Sequence, residues 1–240
     1  ALVALILTTR IEDGHDAVLD PTVKACITGA RQQLADRSVW LIGILATVVI
    51  LVPFATRDTL TPVYAEQLGA RAGILALLGN IHLLFYGLAI ALCSSVFYQR
   101  LGLVKTAVLG IVLQVISTFG IPFTSNIYVI YLWQALAGFS FGMAFAAFMS
   151  LSVVNTSSDE QSTRMGLFQT IYSCGMFVGP VMMGVMMQHI NLSSGYILIA
   201  ALSVVAAIAT PLSARWVYAR KTQTSAQLLK NGAYAAAPDQ

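Results

Sequence analysis

Six stretches of this chain are apolar over about 20 residues or more, roughly 39–62, 72–97, 104–123, 127–153, 165–189 and 195–214. A helix needs about 20 such residues to cross the ~30 Å hydrocarbon layer of a bilayer. In lipid the backbone has no water to bond, so each stretch must satisfy its own N–H and C=O groups as a helix. The expected fold is therefore all-α, a polytopic membrane protein with six transmembrane helices. Charged residues make up only 10% of the chain and the mean hydropathy is +0.78. A soluble domain carries about 25% charged residues, and a water-facing surface could not be built from this composition.

The links between the stretches are short: Glu66–Arg71, Gln99–Gly102, Thr124–Asn126, Asn155–Arg164 and Asn191–Ser194. Neighbouring helices must run antiparallel. Residues 1–9 are apolar and are read as the end of a truncated preceding transmembrane helix. The polar residues 10–38 are read as a linker, 39–214 as the six-helix bundle and 215–240 as a tail. Within the linker, 22–37 can form a short surface helix. Eleven of the 13 lysines and arginines fall on the face shared by linker and tail; only Arg57 and Arg71 fall on the other. By the positive-inside rule the linker and tail are expected in the cytoplasm.

The net charge of +3 reflects this topology, and no basic stripe with interleaved aromatics points to nucleic acid. Cys26, Cys93 and Cys174 are isolated, which excludes a disulfide framework and gives no metal site. No Walker motif, HExxH or intramembrane aspartate pair is present, so no cofactor and no enzymatic chemistry are expected.

Glycine spacing is the next signal. The fifth stretch contains Gly166, Gly175, Gly179-Pro180 and Gly184. Gly175 and Gly179 lie on one ridge where a neighbouring backbone can approach closely, and Pro180 removes a backbone donor. This run resembles the antiporter-type motif C of the major facilitator superfamily, with Met183-Gly184 in place of the final Gly-Gly. Three further segments are similar to motifs of that family. Thr61-Pro62-Val63-Tyr64-Ala65-Glu66-Gln67-Leu68-Gly69-Ala70 is similar to its outer-loop signature. The segment from Ser95 through Gln99, Arg100 and Gly102 to Lys105 resembles the motif A loop, with Ser95 where Gly is usual and Gln99 where Asp is usual. Leu132-Trp133-Gln134 through Gly138 to Gly142 is similar to motif B, with Gln134 where Arg is usual.

The resemblance covers 39–214 and implies half of a twelve-helix carrier, with these spans as helices seven to twelve and an N-terminal six-helix half as partner. It also implies a central cavity lined by the first, second, fourth and fifth helices, with the third and sixth outside. Gln114, on the third span, is then expected at the periphery. Arg100, Gly102, Lys105, Gly138, Gly142, Gly166, Gly175, Gly179, Pro180 and Gly184 are assigned to conformational or packing roles.

Substrate chemistry at membrane depth needs polar groups, which are costly there and need a reason. His82 is the ionisable residue nearest a span midpoint; it shares a face with Tyr86, Ala89 and Cys93. It is read as a substrate or proton-coupling residue, or else as a histidine bonded to a neighbouring helix. Gly73, Ala76, Asn80, Gly87, Ala91 and Ser94 form a separate small-residue face suited to helix packing. Arg57 and Asp58, near the outer end of the first span, can pair and gate a cavity, or simply reach water at the interface. Gln134, Gln169 and Ser173 offer donors and acceptors to a polar solute, or to neighbouring helices. The clustered methionines Met176, Met182, Met183, Met186 and Met187 are read as adaptable packing.

The expected function is secondary active transport of a small organic solute by alternating access in the plasma membrane, coupled to protons. The motif C-like run points toward efflux of drugs or sugars. A six-helix membrane scaffold or sensor, acting alone or as a homodimer, is the other reading.

Overall fold

The computed structural model describes residues 29, 31, 33–154, 156, 158–189 and 191–235. Segment 1–9 and most of the 10–38 linker lie outside them. Among the described residues, six helices are long and apolar enough to span a membrane: α1 (Arg37–Gln67), α2 (Ala72–Leu101), α3 (Leu103–Phe123), α4 (Ile127–Val153), α5 (span Glu160–His189) and α6 (span Leu192–Ala214). The α6 helix runs on to Ala235.

Side chains fix several of these ends. Asp36 caps α1 by accepting from the Ser38 N–H at 2.9 Å, Asn126 caps α4 through the Tyr128 N–H at 2.9 Å, and Asn191 accepts from the Ser194 N–H at 2.8 Å at the start of α6. Between α2 and α3 the turn is a single residue, Gly102, at φ 78° and ψ 165°. Only glycine adopts that region without strain.

The first span is longer than expected from apolarity. Thr61–Gln67, read above as entering an outer loop, is helical. The connection passes through a π-helical segment, Thr56–Leu60. Pro62 lacks an N–H and its ring crowds the carbonyl four residues earlier, and a widened turn just before it relieves both.

Packing gives the bundle an internal symmetry. The extensive pairs are α1 with α5, α2 with α4, α3 with α4 and α3 with α6; α1 also packs on α4 and α6. Exchanging the first three helices for the last three maps this set onto itself. The same exchange relates the two three-helix units of the nested repeats found in some transporter folds. Helices α1 and α4 are the central ones: in the 18-residue apolar stretch of each, 67% and 61% of the residues are buried, against 17% in those of α2 and α5.

Lipid is as apolar as leucine, so close packing and hydrogen bonds must hold such helices together. Gly-x-x-x-Gly pairs make two of the crossings. A Cβ on Gly138 would strike the His82 carbonyl, and one on Gly142 would lie 2.6 Å from the Tyr86 carbonyl oxygen. On α5, a Cβ on Gly175 would strike the Thr47 carbonyl and one on Gly179 would lie 2.9 Å from the Leu51 carbonyl oxygen. Gly166 and Gly184 meet nothing within 4 Å, so half of the motif C-like run packs within this bundle and half faces outward. The small-residue face of α2 also faces outward, with Gly73 and Gly87 meeting nothing within 4 Å.

Gln114, expected away from the cavity, is packed inside the bundle. It is 2% exposed, and its Nε2 donates to the Val49 carbonyl at 3.1 Å. Pro53 explains the contact: it has no N–H to give the carbonyl four residues earlier, which is that of Val49. The amide on α3 replaces the missing donor on α1. Gln114→Leu is expected to cost about 1–3 kcal/mol by orphaning this carbonyl. In a Pro53→Ala background, which restores the backbone donor, the cost should shrink. Thermal unfolding of the four proteins in detergent checks this, and an equal cost in both backgrounds would refute the pairing.

Candidate functional site

The half of the bundle that carries the α1–α2 connection holds a buried hydrogen-bonded chain that crosses four helices. His82 on α2 lies with Nδ1 3.3 Å from Gln134 Oε1 on α4. Gln134 Nε2 donates to Thr61 Oγ1 on α1 at 3.0 Å. Thr61 and Tyr196 on α6 share a 2.9 Å hydrogen bond in which either hydroxyl can donate. All four side chains are essentially inaccessible.

The orientation of each group follows from its neighbours. With the Gln134 amide nitrogen given to Thr61, its oxygen must accept, so the His82 proton resides on Nδ1. Nε2 then carries the lone pair, and among the described residues it has no hydrogen-bond partner. Gly138, one helical turn below Gln134, lets the α2 backbone come close enough for this contact to form.

Beside the chain is a cavity of ≈ 240 Å³ lined by Arg57, Asp58, Thr61, Leu78, Gly79 and Gln134, among others. Arg57 and Asp58 form a two-pronged ion pair, Nε to Oδ1 at 2.6 Å and Nη2 to Oδ2 at 2.7 Å. The guanidinium also lies 5.8 Å from the Phe54 ring centroid. Both residues sit within the π-helical segment of α1, a feature often found at functional sites.

An aromatic ladder continues from this site toward the opposite face. Phe141 lies 6.4 Å from the His82 ring and stacks on Tyr86 at 5.1 Å and Phe145 at 5.4 Å. Phe145 meets Tyr172 edge-on at 5.3 Å, and Tyr172 meets Phe168 at 5.2 Å. The ladder links α2, α4 and α5.

His82, Gln134, Arg57 and Asp58, chosen separately from the sequence, are therefore brought together. Gln169 and Ser173 are not: both are exposed on α5, and the Ser173 hydroxyl donates to its own helix at Thr170. Arg100 and Lys105 are exposed on either side of the Gly102 turn. The sequence reading did not identify Tyr196 as a member, since a tyrosine near the start of an apolar span carries no positional signal. It also treated Arg164 only as a topology marker.

Arg164 in fact ties together three segments at the other end of the bundle. Its Nε donates to the Ser152 carbonyl at 2.6 Å, Nη1 to Gln33 Oε1 at 2.8 Å and Asp36 Oδ2 at 2.9 Å, and Nη2 to Ser38 Oγ at 2.6 Å. The end of α4, the start of α1 and the residues before it are thus fastened to α5. Burial alone would raise the Asp36 carboxyl, but hydrogen bonds from Ser38 and Arg164 outweigh it and hold the group below the ordinary carboxylate range.

Six antiparallel spans around a buried polar chain and a side cavity define a multi-pass membrane protein of the carrier type. The family model described as Major Facilitator Superfamily matches residues 40–237, and the chain belongs to that family of transporters. Comparison with curated proteins gives no match.

Proposed function

We propose that the chain is the C-terminal half of a proton-coupled carrier that exports a small organic solute by alternating access. The observation that carries this reading is the buried chain His82–Gln134–Thr61–Tyr196 beside the cavity holding Arg57 and Asp58. Polar groups at this depth are expensive, and a substrate or proton path is the usual reason for them. The aromatic ladder next to His82 favours an organic solute with a flat apolar part over a bare ion. The motif C-like run on α5 supports export.

His82 is the coupling residue in this scheme. Its ordinary pKa lies in the physiological range. Because Nδ1–H is held by Gln134, a proton can add only at Nε2. Gln134 is then the shared element: a solute that bonds its amide competes with both His82 and Thr61.

An N-terminal six-helix half completes the cavity by packing on α2 and α5. Asn80, Gln169 and Ser173 stand exposed there at membrane depth beside small residues, an unfavourable surface to offer to lipid. Linker and tail face the cytoplasm of the plasma membrane, which the 11-to-2 division of cations supports.

Proteoliposomes carrying the intact protein, with and without an imposed pH gradient, test the scheme. His82→Gln is expected to lose at least tenfold of gradient-driven transport while downhill exchange persists. Gln134→Leu is expected to raise KM by about tenfold, the cost of one substrate hydrogen bond. Unchanged gradient dependence in His82→Gln would remove the coupling role.

A further inference from the structure

A second opening, ≈ 750 Å³, lies at the end of the bundle away from the polar site, between the start of α1 and the end of the α6 span. Its walls are Trp40, Leu41 and Ile44 on α1 and Ala209 and Leu212 on α6, with Arg37 at the rim. Ile44 is 54% and Leu212 61% exposed, so the groove opens sideways from the bundle. In a membrane that opening faces hydrocarbon. Arg37 belongs to the cation-rich face, which also carries Arg100, Lys105 and Arg164.

Three observations say what fills the groove. First, the wall is apolar along α1 from Leu41 to Ile44, and Arg37 lies about 10 Å of helix axis from Ile44; an acyl chain seated on the wall brings its phosphate to the guanidinium. Second, Arg37 is exposed and forms no ion pair among the described residues. The adjacent carboxylate, Asp36, does not neutralise it, being already engaged by Arg164 and Ser38. Third, Trp40 is fixed in the groove wall by its indole N–H, which donates to the Leu34 carbonyl at 2.9 Å. Tryptophan with one polar edge marks the boundary between headgroups and chains.

We propose that this groove is a binding site for an anionic phospholipid. The apolar wall accepts the chain of any lipid; the planar guanidinium fork of Arg37 selects the phosphate that carries a net negative headgroup.

Trp40 supplies the readout. The intact protein is reconstituted in phosphatidylcholine vesicles containing increasing fractions of phosphatidylglycerol or phosphatidylcholine with brominated chains, which quench nearby indoles. The signal of a Trp40→Phe protein is subtracted. Brominated phosphatidylglycerol is expected to quench Trp40 at an about fivefold lower mole fraction than brominated phosphatidylcholine. Arg37→Gln should abolish the difference and Arg37→Lys keep part of it, while Arg100→Gln, a cation elsewhere on the same face, should leave it intact. Equal quenching by both lipids would reduce the groove to ordinary bilayer contact and overturn the proposal. So would an absence of Trp40 quenching by either lipid, which would mean that residues 1–28 or a second copy of the chain cover the groove.

Discussion

Replacing Gly138 with alanine is expected to destabilise the bundle by about 3 kcal/mol and to uncouple His82 from Gln134. The added Cβ lands on the His82 carbonyl. That obstacle is backbone, so it cannot rotate aside, and α2 and α4 must separate. The 3.3 Å contact between His82 Nδ1 and Gln134 Oε1 lies at the same crossing and lengthens with it. One methyl group therefore damages both packing and the polar chain. Gly184→Ala is the matched control for the unfolding measurement: among the described residues nothing lies within 4 Å, and alanine in place of glycine should be neutral or gain a few tenths of a kcal/mol from helix propensity. Thermal unfolding in detergent and transport of the intact protein measure the two effects. Should Gly138→Ala prove as harmless as Gly184→Ala, the close α2–α4 crossing would be wrong.

Arg164→Gln is the second large expected loss, about 2–3 kcal/mol. Arg164 makes four hydrogen bonds to four residues, and its side chain is only 11% exposed. A charged donor contributes about 1.5–3 kcal/mol per bond, but bonds sharing one side chain do not add. The share from Asp36 is discounted because that side chain is 40% exposed and screened by water. Lysine is not an adequate replacement, since one ammonium cannot reach a carbonyl, an amide, a carboxylate and a hydroxyl in the geometry of a planar fork.

The same cluster gives a pH dependence with a definite sign. The folded Asp36 carboxyl titrates below its ordinary value of 3.8. The stability it contributes is fully present above that value and fades as pH falls through the lower, folded pKa. Acid unfolding of the wild-type protein should thus include a component that Asp36→Asn lacks. Parallel profiles for the two proteins below pH 4 would contradict the assignment.

Much of the architecture was legible because lipid imposes a simple rule. Every backbone group must be satisfied locally, so a run of about 20 apolar residues has one outcome, and the span Ile127–Val153 was read to the residue. Gly175 was also legible as a close-approach position, since helical spacing places it with Gly179 on one ridge, whereas Gly138 stood out only through its likeness to motif B. The limits of that rule appear at α1. Apolarity falls off at Pro62, yet the helix continues to Gln67, because a π turn accommodates the proline without ending the helix.

The site was legible only as candidates. His82, Gln134, Arg57 and Asp58 stood out because polar groups are rare at membrane depth, and depth is a one-dimensional property that sequence position supplies. Which of them meet is a three-dimensional property. Gln169 had the same credentials as Gln134 but lies on the exposed face of α5. Gln114 was set aside as peripheral, although the carbonyl it serves was already announced by Pro53, sixty-one positions earlier. Nothing in spacing tells an amide on one helix which open carbonyl on another it will reach.

The sequence alone determined that this chain is membrane-embedded and helical, that six of its described helices are long and apolar enough to span, and that successive helices alternate in direction. Those properties follow from transfer of apolar residues into lipid and from links too short for any other geometry. Tertiary structure decided what stands beside what: that α1 and α4 form the centre, that four helices contribute to one hydrogen-bonded chain, and that Arg164 fastens the opposite end. Such pairings depend on helix rotation and on the close approach that individual glycines permit, and neither quantity is written in the order of the residues.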